Sequence, residues 1–259
     1  VYTSVYLPSY LGPHRSRFEN WNIKTSWAQN LPFKAKLISP LRLIAPSLFG
    51  SFDFSKFDVV IVSATGAYSS NAVKKRNAVQ ICYCHTPPRY LYGYETARNW
   101  KKNIITRIIG NLSIHFLRII DHRSSQNVDY FIANSEETKR RIEKFYRKDA
   151  TVIYPPVEIK NHESRIMNQG KRDFFLAGGR IARTKHTDLI VDAFIKNGLP
   201  LRIFGKGFAG FEDELKDRIK NHESQLRQGF AGQAKIEFLG EVSDGEKDKL
   251  MAEAKAFVF

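Results

Sequence analysis

Short runs of β-branched and apolar residues alternate with amphipathic stretches along most of this chain, and that rhythm limits the fold more than any other feature. FDVVIVSA (57–64), AVQICYCH (78–85), VDYFIANS (128–135) and ATVIYPPV (150–157) read as strands. Between the second and third lies a helical region over about 96–127, with Ile104, Ile105, Ile108, Ile109, Leu112 and Phe116 at helical spacing. EETKRRIEKFY follows the third strand as a helix. Asn134 and Ser135 can cap it, with Glu137 as the capping-box partner three residues after Asn134. The diproline Pro155-Pro156 marks an extended exit. Residues 158–172 are polar and aperiodic and read as an interdomain linker. The rhythm restarts with DFFLAGG (173–179), a helix over 187–198 with Thr187 as cap and Gly198 as stop, and LPLRIFGKG (199–207). A helix (211–220), KIEFLGEV (235–242), a helix opened by the capping box Ser243…Glu246, and the start of a strand in AFVF complete it. Strands alternating with helices predict βαβ units and parallel sheets, an α/β fold. Two such blocks, 1–157 and 173–259, predict two Rossmann-like domains facing a cleft, the second incomplete.

The composition supports a buried core: 42% of residues are hydrophobic and 13% aromatic, which excludes a disordered or fibrous chain. Forty-one Lys and Arg against 26 Asp and Glu give a formal charge of +15. That excess points to a phosphate-bearing partner or an anionic membrane surface. The two cysteines, Cys82 and Cys84, are too close in sequence to cross-link distant parts, which excludes a disulfide framework and fits a reducing compartment. Alternation places both on one face of a buried strand. Cys82-x-Cys84-His85 lacks the fourth ligand that zinc normally requires, so no metal is expected. The longest apolar stretch, Ile104 to Ile120, is broken by Arg107, Asn111, His115 and Arg118, so no transmembrane helix is expected. VYTSVYLPSY lacks the basic and apolar regions of a signal peptide. A chain that starts at Val1 and stops inside AFVF reads as a piece of a longer protein.

The sharpest local feature is LAGGRIARTKHTD (176–188). Gly178-Gly179 ends a strand where the chain must turn tightly, and Arg180 and Lys185 flank the entry to a helix. In an open parallel sheet, ligands bind beyond the strand carboxyl ends near helix N-termini. Two cations at a positive helix end form an anion site of the kind a diphosphate requires; a solvated turn with incidental bases is the plainer reading. Gly205-Lys206-Gly207 follows the next strand and faces the same edge. A second feature is CYCHTPPRYLYG (82–93), where His85 ends a strand and Pro87-Pro88 stiffens a loop able to hold His85 and Arg89 over a cleft.

A third feature combines bases with aromatic residues: His14, Arg15, Arg17, Phe18, Trp21, Lys24 and Trp27, then Trp100, Lys101, Lys102 and Arg107. It reads either as a surface for anionic headgroups or a lipid-linked phosphate acceptor, or as a solvated face. No RNA-binding, zinc-finger or helix-turn-helix pattern is present and the bases are scattered, so no nucleic-acid partner is expected.

Taken together, HTPPRYLYG (85–93), DYFIANSEETKRRIEKFY (129–146), ATVIYPPVE (150–158), GGRIARTKHTDLIVDAF (178–194), LRIFGKG (201–207) and IEFLGEVSDGEKDKLMAEAKAFVF (236–259) resemble a retaining glycosyltransferase of family 4 with the GT-B fold. The HTPPRY loop resembles the branch of mannosyltransferases that builds bacterial O-antigen and other surface polysaccharides. The resemblance implies that the first domain binds the acceptor and the second a sugar nucleotide. Arg180 and Lys185 match the pair that grips the donor diphosphate. His85 matches the histidine that meets the donor sugar. Gly179, Gly205, Lys206, Gly207 and the Gly240–Val242 turn match segments near the nucleotide. It implies a co-substrate, GDP-mannose favoured, with no metal or other cofactor. It also implies a lipid-linked oligosaccharide acceptor, and work at the inner face of the cell membrane. The glycine-rich loop expected early in the first domain and the Glu-x7-Glu segment after the last strand are absent. A UDP-sugar transferase, a GT-B nucleotide-sugar epimerase and a non-catalytic basic scaffold on a membrane or polyanion are the alternatives.

Overall fold

Two parallel sheets organise the protein, each in its own compact unit, with the division between residues 157 and 158. The computed structural model describes residues 1–94, 104–156, 173–226 and 235–259. Trp100, Lys101, Lys102, the start of the 96–127 helix and the 158–172 linker lie outside the described residues, as do the side chains of His14, Ile105 and Ile109.

The first unit opens with β1 (Tyr2–Thr3) paired in parallel with β2 (Lys24–Thr25), then α1 (Lys34–Leu41) and α2 (Ala45–Gly50). Its main sheet is formed by β3 (Val59–Ala64), β4 (Val79–Cys84), β5 (Tyr130–Ala133) and β6 (Thr151–Val152), in that order and all parallel. The helices α3 (Ile104–Gln126) and α4 (Glu136–Tyr146) precede and follow β5. Cys82 and Cys84 are fully buried with Phe131, Ile142 and Tyr146, as alternation predicts. The opposite face of this sheet carries Val59, Ile61 and Tyr130 exposed, so burial is one-sided here rather than two-sided as parallel strands usually require. ATVIYPPV contributes only two strand residues, because prolines 155 and 156 supply no N–H to a ladder.

The cap of α4 differs from the sequence reading. Ser135 alone is the N-cap, its hydroxyl accepting from the Thr138 N–H at 3.2 Å. Glu137 turns outward to Arg140 and Arg141, since two guanidiniums within one turn attract its carboxylate more than a backbone N–H does.

In the second unit, β7 (Phe175–Gly178), α5 (Thr187–Asn197), β8 (Leu201–Phe204), α6 (Phe211–Leu226), β9 (Ile236–Gly240), α7 (Asp244–Glu253) and β10 (Phe257–Val258) alternate strictly. The strand order is β10-β7-β8-β9, all parallel. Val191 and Phe194 of α5 and Leu215 and Ile219 of α6 pack with Leu201 and Ile203 in one cluster. Leu250 of α7, with Ala254, packs with Leu176 and Phe204 in another. The sheet is thus wound on both sides, and β7, paired with β10 and β8, sits where the winding reverses. Thr187 is the first residue of α5 rather than its cap. His186 takes the cap position in the left-handed region (φ 50°), because the chain must turn sharply there after the short 3-10 segment Arg183–Lys185. Gly198 stops the helix, and the Ser243…Glu246 capping box is present.

One buried acid tethers the loop after β4. Asp121 on α3 is 1% exposed and accepts hydrogen bonds from the hydroxyls of Tyr92 (2.9 Å) and Tyr146 (3.0 Å). Burial pushes its carboxyl above the ordinary carboxylate range, and the hydrogen bonds only partly oppose that shift. The folded state therefore keeps this proton at pH values where the unfolded chain, titrating near about 3.9, has already released it. The stability this gives is present below that value and is lost as pH rises through the folded titration. Asp121→Asn removes the titration. The unmodified protein should accordingly lose melting temperature relative to this variant as pH is raised from about 4 toward neutrality, and parallel melting curves would overturn the assignment.

Candidate functional site

The loops at the carboxyl ends of β7 and β8 are laced together by backbone hydrogen bonds. Gly179 N–H donates to Phe204 O (3.1 Å), Ile181 N–H to Lys206 O (3.0 Å) and Phe208 N–H to Ile181 O (3.0 Å). Gly205 N–H donates to Gly240 O at 2.7 Å, joining the end of β9 to the same edge. Gly205 holds φ +127°, and a Cβ there would lie 1.8 Å from Gly179 O, so only glycine lets the two loops approach. Ile181 and Ala182 are buried and pin the middle of the loop, while Arg180, Arg183 and Lys185 are exposed around it.

Their partners separate these cations. Arg183 is committed to Glu214 and lies over the Phe211 ring at 4.9 Å. Lys206 is paired with Glu241 at 3.2 Å. Arg180 lies over Phe208 at 5.8 Å, and neither it nor Lys185 has an ionic partner among the described residues. Gly179, Arg180, Lys185, Gly205, Lys206 and Gly207 thus share the carboxyl edge of one sheet, beside the N-terminus of α5. Two cations without an ionic partner among the described residues, at the point where the winding reverses and beside a helix N-terminus, make this edge electropositive. The Val242 side chain packs into the cluster of Phe174, Leu176 and Phe204, which serves the core.

His85 belongs to the first unit and follows β4 directly. Its backbone N–H donates to Ala64 O (2.9 Å) and its carbonyl accepts from the Thr138 hydroxyl (3.0 Å). Its Nε2 lies 3.2 Å from Ser63 Oγ, and Tyr83 meets its ring edge-on at 5.1 Å. Pro87 and Pro88 are buried, and Arg89 donates its N–H to Gly66 O at 3.3 Å. A Cβ on Gly66 would fall 2.4 Å from the Thr86 methyl, so the loops after β3 and β4 also touch. Arg141 of α4 donates to Thr86 Oγ1 at 3.2 Å and lies over Tyr94 at 4.5 Å.

Sequence reasoning did not single out Ser63, Gly66, Thr138 or Arg141, because their link to His85 and Thr86 crosses from other elements. A Gly after a strand end, as at Gly66, was the available signal. Among the described residues no group of three or more His, Cys, Asp or Glu side chains is placed to hold a metal ion. No helix among them is long and apolar enough to cross a membrane.

A family model for Glycosyltransferase Family 4 matches residues 3–161, more than half of the chain. No curated protein matches well enough to serve as a relative. Among solved structures, HepE from Anabaena in complex with UDP superposes with a TM-score of 0.51 at 13% identity, covering 96% of this chain and 62% of that one. The pneumococcal O-GlcNAc transferase GtfA, in complex with UDP and GlcNAc, gives a TM-score of 0.45 at 17% identity, covering 84% of this chain and 39% of that one. This chain therefore spans less than two thirds of either protein's length. Parallel sheets in two α/β units and the likeness to HepE agree on a Rossmann-like fold of the GT-B type. On the family match, the chain belongs to glycosyltransferase family 4.

Proposed function

We propose that this protein transfers a hexose, with retention, from a nucleotide-sugar donor to a lipid-linked or polysaccharide acceptor in surface-glycan synthesis. The observation that carries the reading is the pair Arg180 and Lys185, without ionic partners among the described residues, at the carboxyl edge of β7 beside the start of α5. As the bond from the sugar C1 to the diphosphate breaks, positive charge grows on the sugar ring and negative charge on the leaving phosphate. Arg180 and Lys185 stabilise the leaving charge without a metal, and Gly179 and Gly205 let the two loops that carry the cations close on one another. His85, fixed by Ala64, Thr138 and Ser63 of its own unit, is the candidate for meeting the donor sugar on the resemblance of its loop. A lipid-linked acceptor places the work at the inner face of the cell membrane.

GDP-mannose is the favoured donor, on the HTPPRY loop (85–90). The likeness to HepE, solved with UDP, supports a UDP-sugar as the second reading. Calorimetric titration with GDP and UDP separates them: tighter binding of GDP is expected. Tight UDP binding with undetectable GDP binding would remove the mannose reading and leave the anion site standing. Failure of both to bind would remove the transferase reading.

A further inference from the structure

The first unit carries a basic cavity and an apolar helix stripe side by side, and neither belongs to the edges described above. The helix is α3. Ile104, Ile108, Leu112 and Phe116 recur every fourth residue on it and are each 56–64% exposed. Its one acidic residue, Asp121, is turned into the core, so its solvent face bears only apolar, neutral and basic side chains. Arg107 and Arg118, eleven residues apart, share one flank of the stripe.

The cavity opens beside the second half of this helix and has a volume of about 710 Å³. Arg118, Arg123, Lys144 and Arg147 line it, with His122, and no Asp or Glu does. None of the four Arg and Lys side chains is in an ion pair among the described residues, whereas elsewhere on α4 Lys139, Arg140 and Arg141 all are. Its floor is aromatic: Tyr92 stacks on Phe145 at 4.2 Å, and Lys144 Nζ lies over Phe145 at 5.5 Å. Arg118 Nε is spent on Leu91 O at 2.9 Å, which fixes the guanidinium while leaving its other N–H groups for a ligand. The cavity lies beside the C-terminal halves of α3 and α4, and Tyr92 and Gly93, at the far end of the loop that begins at His85, close its other side.

Four cations with no counter-charge in one cavity repel one another unless an anion joins them, and an exposed apolar stripe alongside is costly in water. An anionic lipid bilayer meets both demands at once. The headgroup phosphate enters the cavity while the stripe lies at the boundary between headgroups and acyl chains. We infer that α3 and the Arg118–Arg123–Lys144–Arg147 cavity form the surface by which this protein docks on an anionic membrane. The inference deepens the membrane-surface part of the proposed function and rests on it. Of the basic-aromatic residues named from the sequence it keeps Arg107, which lies on α3, and it adds the Arg118–Arg147 cavity in place of the Arg15–Trp27 segment.

The test is co-sedimentation with vesicles of equimolar phosphatidylglycerol and phosphatidylcholine, compared with phosphatidylcholine alone, at low and high salt. The unmodified protein should pellet with the anionic vesicles and be released by salt. Arg123→Glu with Lys144→Glu should weaken that binding by at least about tenfold, as two reversed charges near an anionic surface require. Leu112→Ser with Phe116→Ser should do the same at low salt. All four positions except the partly packed Lys144 stem face solvent, and unchanged melting temperatures establish that both variants are folded. If the unmodified protein does not pellet, the membrane reading itself falls. If it pellets and both variants pellet equally well, the membrane reading stands and this face is wrong. If the serine variant splits a dimer in light scattering while vesicle binding is intact, a second copy covers the stripe and the inference is overturned.

Discussion

Lys185→Ala is expected to turn over at least about tenfold more slowly than the unmodified protein and to bind nucleoside diphosphate correspondingly less tightly. A charge-assisted hydrogen bond contributes roughly 1.5–3 kcal/mol, and each 1.4 kcal/mol is a factor of about ten. Arg180→Ala should fall in the same range. The double variant should lose less than the sum, because both cations face one diphosphate. Arg183→Ala is the internal control. Its guanidinium is already committed to Glu214, so its loss should leave rate and affinity within about threefold. Initial rates with a sugar-nucleotide donor, alongside calorimetric affinity for the diphosphate, make the comparison. Normal turnover by Lys185→Ala, or an Arg183→Ala defect as large as that of Lys185→Ala, would show that the anion sits elsewhere.

Gly205→Ala is expected to cost the second unit at least about 3 kcal/mol. The left-handed conformation alone costs of order 1–3 kcal/mol for a residue with a side chain. The added methyl would also lie 1.8 Å from a backbone oxygen, which no side-chain rotation relieves. The loop of residues 205–207 would have to leave the loop of 179–182, breaking the bonds Gly179 N–H to Phe204 O and Gly205 N–H to Gly240 O. Thermal melting and nucleotide affinity should therefore fall together. A variant that melts like the unmodified protein would mean that the two loops separate at little cost. Gly210→Ala, where a Cβ meets open space at φ +75°, should cost only the smaller conformational term.

The alternation of strand and helix was legible because each parallel strand is a short β-branched run and each helix is amphipathic, both local properties. Every strand from residue 57 onward was found within a few residues, and the two cysteines went to the core on period-two spacing alone. The first 56 residues resisted. Their short parallel pair β1–β2, 3-10 turns and the proline-containing α1 have no sustained period, and they are stabilised by contacts such as Tyr2 against Phe52 and Phe54. Capping was only half legible. Ser243…Glu246 closed as read, but Glu137 went to the arginines of its own helix and His186 took the place given to Thr187.

Read along the chain alone, the residues already make this an α/β protein with a division near residue 157 and with glycines and cations gathered after one strand. Residue type and local spacing suffice for that, since hydrophobic periodicity, proline and glycine act within a few residues. The folded arrangement sets which cations lack an acidic partner. Arg183 and Lys206 are neutralised by Glu214 and Glu241, which lie 31 and 35 residues away in sequence, whereas Arg180 and Lys185 meet no acid among the described residues. It also decided that β7 sits where the winding reverses, because strand order depends on which edge β10 joins. Likewise it turned Asp121 inward, leaving α3 without an exposed acid and Arg118, Arg123, Lys144 and Arg147 around one cavity. Charge pairing and strand order are non-local, and no count of residues along the chain contains them.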